Sequence, residues 1–180
     1  MEKVVVAYSG GLDTSYCVKY LQNELNLEVH SVLVNTGGFS SEELKVVEAK
    51  AYDMGVKSHT NQNILDIYYE KAIKYMVYGN VLKNNTYPLS VSSERIIQAI
   101  EIIEYAKSID AKFIAHGSTG AGNDQVRFDL IFQVLAPGIE IITPIRDNKL
   151  SREDEIEYLI EKGVDDNGKK YYKIYYEEEK

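Results

Sequence analysis

The run Ser9-Gly10-Gly11-Leu12-Asp13-Thr14-Ser15 has the residue types and the spacing to hold a chain of phosphates. Adjacent glycines let backbone N–H groups approach an anion closely and adopt positive φ. Ser9, Thr14 and Ser15 add hydroxyl donors. The apolar run Val4-Val5-Val6 precedes the segment and a helical pattern follows it. A strand thus feeds a loop whose next helix aims its N-terminus at the same point, where unpaired N–H groups and the helix dipole favour negative charge. Gly-Gly alone would read as a tight turn, and Ser, Asp and Thr are ordinary helix caps. The combination with a flanking strand and helix favours phosphate. The segment is not a Walker A loop, because no Gly-Lys-Ser/Thr follows at the required spacing, and it does not fit G-x-G-x-x-G. For Asp13 two readings stay open, helix capping and a part in magnesium binding.

A second glycine-rich run, Gly117-Ser118-Thr119-Gly120-Ala121-Gly122, leads into a helical pattern that starts at Asp124. One helical turn separates Asn123 from Arg127, so both can face one ligand. The Arg127 fork suits a carboxylate; read alone it is a solvated helix arginine. Asn35-Thr36-Gly37-Gly38 lets backbone pass close to a ligand, or is an ordinary turn into the next helix. Arg95 is left open between a site residue and an exposed residue in the first turn of a helix, and His116, ending a strand, reads as structural or supporting the site. For His30 and His59 the sequence identifies no partner. Cys17 lies inside the first helical pattern and reads as a small buried filler, which argues against the accessible thiol a thiolase needs.

The first of these segments resembles the pyrophosphate-binding loop of the N-type ATP pyrophosphatases, which split ATP between its α- and β-phosphates. Ala115-His116-Gly117-Ser118-Thr119-Gly120-Ala121-Gly122-Asn123-Asp124-Gln125-Val126-Arg127-Phe128 resembles the second signature of the argininosuccinate synthases. Tyr87-Pro88-Leu89-Ser90-Val91-Ser92-Ser93-Glu94-Arg95 resembles that family's citrulline-contacting stretch. The three motifs come in the family's order, and the likeness runs from about Lys3 to about Gly163. It implies ATP contacts by Ala7, Tyr8, Ser9, Gly10, Gly11, Leu12, Asp13, Thr14, Ser15, Thr36 and Gly117. It implies citrulline contacts by Tyr87, Ser92, Asn123 and Arg127, and aspartate contacts by Thr119, Asn123 and Asp124. The implied reaction is ATP-dependent condensation of citrulline and aspartate through a citrullyl-adenylate, releasing pyrophosphate and AMP. No protein nucleophile is required; Asp13, Asp124 and Arg127 position the reactants, and magnesium comes with ATP. Members of that family are more than twice this long. Their second domain supplies further citrulline contacts and the main oligomerisation region, and neither has a counterpart motif here. The expectation is therefore weak or no turnover by this chain alone, with homo-oligomerisation left open. Two alternatives stand beside this one: another amidotransferase-like synthetase of the same ATP pyrophosphatase class, and a non-catalytic nucleotide-binding or assembly module.

The elements that must position these residues read as an α/β chain. The strands predicted from the alternation of apolar runs with helical patterns are Val4–Tyr8, Val29–Val34, Phe113–His116 and Glu140–Thr143, together with the polar segment Lys57–Thr60. Helical periodicity covers Asp13–Leu25, Ser41–Met54, Ile64–Val77, Ser92–Ile109, Asp124–Leu135 and Arg152–Glu161. Ser151 with Asp154 starts the last helix as a capping box, and Gly163 suits its end. The alternation predicts an open, mostly parallel twisted sheet of about five strands with helices on both faces, a Rossmann-like arrangement resembling the adenine nucleotide alpha-hydrolases. In such sheets ligands sit beyond the carboxyl ends of the strands, where all the candidate loops fall. Residues 1–163 read as one nucleotide-binding domain and 164–180 as a charged, Tyr-rich tail, either a frayed terminus or a self-association element.

Composition narrows the partners. The chain has 180 residues, 44% of them hydrophobic and 27% charged, ordinary for a soluble globule. The net charge is −8, which argues against a large nucleic-acid footprint but not against ATP, bound by local N–H groups. No apolar run approaches the ~20 residues of a membrane span, and the N-terminus lacks a signal-peptide pattern. A single cysteine excludes an internal disulfide and fits a cytoplasmic home.

Overall fold

Val4, Val5 and Val6 are fully buried, yet they serve two different cores, because successive strand residues point to opposite faces. A computed structural model describes residues 1–162, without the side chains of Lys83, Tyr87 and Pro88. In it β1 (Lys3–Ala7) is the central strand, paired in parallel with β2 (Glu28–Asn35) and with β6 (Phe113–His116). Outside these lie β3 (Ser58–Asn63) and β7 (Glu140–Ile142), giving a five-stranded parallel sheet in the order β3-β2-β1-β6-β7. A strand buried on both faces needs apolar residues at every position, which is what the Val run supplies.

On one face α1 (Leu12–Asn23), α2 (Ser41–Asp53) and α8 (Arg152–Glu161) cover Val4, Val6, Val29 and Leu33 with Tyr16, Cys17, Leu21, Val47 and Leu159. On the other, α5 (Ser90–Ser108) and α6 (Asp124–Leu135) cover Val5, Val32 and Ile114 with Ile97, Ile102, Ile103 and Phe132. Each fully buried Val, Ile or Phe contributes roughly 1.5–3 kcal/mol. The strand order reverses beside β1: the chain runs outward through β2 and β3, then returns to add β6 on the other side. The crevice at the carboxyl ends of β1 and β6 is the switch point where ligands bind in open sheets.

The expected α/β sheet with helices on both faces is the observed one. Three local readings change. The helix expected over Ile64–Val77 is α3 (Leu65–Tyr68), a π-helical stretch at Tyr69–Ile73, and α4 (Lys74–Tyr78). The strand expected to end at Thr60 continues to Asn63, because its polar residues still pair with β2 through Asn35↔Asn63. A short hairpin of β4 (Leu82–Lys83) and β5 (Tyr87–Pro88), and the helix α7 (Pro144–Asn148), carry no periodicity long enough to read. The Ser151–Asp154 capping box is present at α8. Gly163 and the Tyr-rich stretch 164–180 lie outside the described residues. Both histidines have partners: His30 Nδ1 meets Ser58 Oγ at 2.7 Å, and His59 Nδ1 meets Ser31 Oγ at 2.8 Å. Among the described residues no helix is long and apolar enough to cross a membrane.

Candidate functional site

The first loop spans the gap between β1 and α1. Gly10 has φ of +80°, and a Cβ there would sit 3.2 Å from Val47 Cγ2 of α2. The left-handed backbone and the close packing both require glycine. Gly11 is the N-cap of α1, with extended backbone and no side-chain cap. The first N–H groups of the helix therefore face the crevice without a capping oxygen. A Cβ on Gly11 would meet only Ser9 Oγ, at 3.5 Å. The space beside Gly11 is the open side of the loop.

The hydroxyls divide into two sets. Ser9 Oγ and Thr14 Oγ1 lie 3.4 Å apart on the exposed side. Ser15 is buried and donates to the Gly11 carbonyl at 2.8 Å, so its hydroxyl supports the turn. Tyr8 is buried as well, with its N–H donating to Val32 O at 2.9 Å.

Asp13 is the second residue of α1, so the capping role belongs to Gly11 instead. It is wedged between two other elements. A Cβ on Gly117 would stand 3.1 Å from the Asp13 carbonyl carbon, which brings the two glycine-rich loops into contact. Glu155 of α8, 2% exposed, faces the Asp13 carboxyl, and its buried Oε2 has no hydrogen-bond partner among the described residues. Burial, and then the Asp13 charge, push the Glu155 carboxyl up to about 8. Two carboxyl groups in contact can hydrogen-bond only by sharing a proton.

The second loop runs from His116, at the end of β6, to Asp124, the first residue of α6. The Asp124 carboxylate is held from two sides, by Arg127 NH1 at 2.7 Å and by Arg95 Nε at 3.1 Å. Arg95, for which the sequence leaves a site role and an exposed position both open, is half-buried on the crevice wall. The sequence could not decide its place, because its partner Asp124 is far along the chain. From the β2 side, Thr36 Oγ1 donates to Glu94 Oε1 at 2.5 Å, and Glu94 lies 3.5 Å from Arg95. The Asn35 side chain organises the turn after β2, accepting from Gly37 N at 2.9 Å and Phe39 N at 3.2 Å.

A crevice of about 950 Å³ opens along these loops, lined by Ala7 to Ser15, His116, Gly117, Arg95 and Asp124. Thr36, Ser92, Thr119, Asn123 and Arg127 are not on its wall. Thr36 and Arg127 connect to it through Glu94 and Asp124, while Thr119 and Asn123 are exposed at the rim loop. Ser92 sits half-buried on α5, and the Tyr87 side chain lies outside the described residues. Among the described residues no cluster of three or more His, Cys, Asp or Glu could hold a metal ion. Uncapped N–H groups, the Ser9 and Thr14 hydroxyls and the Arg95 guanidinium make the crevice a place for an anion.

Comparison with known proteins gives one consistent answer. The family model described as the arginosuccinate synthase N-terminal HUP domain matches residues 3–165. The argininosuccinate synthase of Methanocaldococcus jannaschii is 42% identical over 165 residues, covering 91% of this chain and 41% of that protein. Those of Prochlorococcus marinus subsp. pastoris and Saccharolobus solfataricus are 41% and 40% identical, covering 88% and 90% of this chain and 39% and 41% of theirs. The chain thus spans about two fifths of the length of the curated relatives it matches.

Proposed function

The chain belongs to the family of argininosuccinate synthase N-terminal HUP domains, and from that premise we propose that it binds ATP and takes part in joining citrulline to aspartate. The observation that supports this best is the meeting of the two glycine-rich loops, Asp13 against Gly117, at the switch point of the sheet.

In this reading residues 1–163 are the nucleotide-binding domain and 164–180 a tail. The phosphates of ATP lie over Gly10, Gly11 and the first turn of α1, with Ser9 and Thr14 donating hydroxyls. Leu12, Asp13, Ser15, Ala7 and Tyr8 shape that cradle, and Thr36 and Gly117 border the nucleotide. Citrulline takes Tyr87, Ser92, Asn123 and Arg127, and aspartate takes Thr119, Asn123 and Asp124. The citrulline ureido oxygen attacks the α-phosphorus and pyrophosphate leaves. The aspartate amine then attacks the activated carbon and AMP leaves. Neither step needs a covalent enzyme intermediate. The protein contributes orientation and fixed dipoles where charge develops. Magnesium travels with the triphosphate and offsets its charge; we assign no protein ligand to it. The buried lone Cys17 fits a reducing, cytoplasmic setting.

The test is release of AMP and pyrophosphate from ATP with citrulline and aspartate, each omitted in turn, beside calorimetric titration with magnesium-ATP. We expect the folded chain to bind magnesium-ATP. Release that needs citrulline would identify the acceptor. Release independent of citrulline would move the reading to another synthetase of this class. Absence of ATP binding by the folded chain would refute it.

A further inference from the structure

Two hydrogen-bonded arms run from a single guanidinium to the second glycine-rich loop. Arg146 belongs to α7, the short helix after β7. Its NH1 donates to Asp129 Oδ2 at 2.5 Å and to Gln125 Oε1 at 3.1 Å. The first arm continues from Asp129 Oδ1, which accepts from His116 Nε2 at 2.9 Å, and ends where Ser118 N donates to His116 Nδ1 at 3.3 Å. The second arm continues from Gln125 Nε2, which donates to Gly120 O at 2.6 Å. The arms therefore grip the loop at Ser118 and Gly120, one on each side of Thr119.

The first arm has a defined direction. Nδ1 of His116 accepts from the Ser118 N–H, so the ring proton sits on Nε2, which donates to Asp129. The ring is 2% exposed and packs beside Phe128 and Phe132. Burial works to raise Asp129, but hydrogen bonds from His116 and Arg146 outweigh it and hold the carboxyl below its ordinary range. Within such surroundings a charge-assisted chain holds its geometry firmly.

We propose that Arg146 is a positioning residue: through Asp129–His116 and through Gln125 it sets the loop Gly117–Gly120 in the conformation that receives the nucleotide and the ligand of Thr119. What the loop receives rests on the function proposed above; that Arg146 sets it does not. One NH2 group carries two protons, and each arm takes one. Arg146→Met keeps the stem and removes both donors, while Gln125→Leu cuts one arm only.

The full chain is tested in three ways: 15N shifts of the His116 ring, amide exchange at Ser118 through Ala121, and magnesium-ATP affinity by calorimetry. For Arg146→Met we expect loss of the pure Nε2–H tautomer, loop exchange faster by about tenfold, and ATP binding weaker by about tenfold. Gln125→Leu should loosen Gly120 and leave the His116 tautomer intact, and Arg146→Lys should recover part of the ATP affinity. Unchanged exchange and unchanged tautomer in Arg146→Met would overturn the inference. A loosened loop with unchanged ATP affinity would leave the arms standing and overturn the nucleotide reading of that loop. Should Arg146→Met fail to fold, Gln125→Leu and Arg146→Lys carry the same comparison.

Discussion

Two neighbouring glycines in the first loop should respond to the same substitution in opposite ways. At Gly11 the backbone is extended, with φ −80° and ψ 177°, and an added methyl meets only Ser9 Oγ at 3.5 Å. Alanine fits there without strain, and it restricts the unfolded chain, which stabilises by roughly 0.4–1 kcal/mol. For a domain of this size that is a rise of about 1–4 °C in Tm. At Gly10 the φ of +80° and a Val47 Cγ2 at 3.2 Å make alanine costly. The left-handed backbone alone costs roughly 1–2 kcal/mol, so Gly10→Ala should lower Tm by several degrees. ATP binding should invert that order of harm. The Gly11 methyl occupies the side from which backbone N–H groups reach a phosphate. Losing one hydrogen bond to a charged group costs roughly 1.5–3 kcal/mol, or about 10–100-fold in affinity. Calorimetric titration with magnesium-ATP, beside thermal unfolding of each variant, reads both effects. Gly11→Ala that unfolds cooperatively and binds ATP as tightly as the parent would refute the phosphate assignment, and Gly11→Val would then be expected to bind as well.

Two further outcomes follow from buried titratable groups. Glu155 is raised from its ordinary carboxyl range to about 8, by burial first and then by Asp13. Its folded state holds a proton that the unfolded chain releases, so stability should fall as pH rises from 4.5 and level off above about 8. Urea unfolding across that range should show the slope, and Glu155→Gln should flatten it; an equal slope in the variant would place the titrating group elsewhere. Burial pushes the Cys17 thiol well above its ordinary value, so a disulfide reagent should leave it untouched in the native chain and label it on unfolding. Native labelling at the rate of a free thiol would contradict the packing of α1.

How much of this was legible depended on where each residue's partner lies. The loops announced themselves because their information is local. Gly10 and Gly11 follow a strand and open a helix within a dozen residues, and the Val run needs no partner to read as buried. The two strands that meet at the switch point, β1 and β6, were legible for the same reason. The π-helical turn at Tyr69–Ile73 was not, because one extra residue in a turn leaves the apolar spacing almost unchanged. Helix α7 escaped because five residues are too short for any period to show.

The contacts around the loops that the sequence did not show have a common cause. Arg95 meets Asp124 across 29 positions, Arg146 meets Asp129 across 17, and Glu155 meets Asp13 across the sheet face that joins α8 to α1. Read singly, each is a charged residue on a helix, and most such residues are solvated. Their pairing is created by the strand order: placing β6 beside β1 sets α6 against α5, and the chain after β7 brings α7 and α8 back over the loops. A charge that is buried must be paired or neutralised. These helices thus hold the two glycine-rich loops in register while contributing no motif of their own. The loops specify what can bind. The two long-range ion pairs and the Glu155–Asp13 carboxyl contact brace those loops from outside, and an α7 or α8 substitution should reach them by that route.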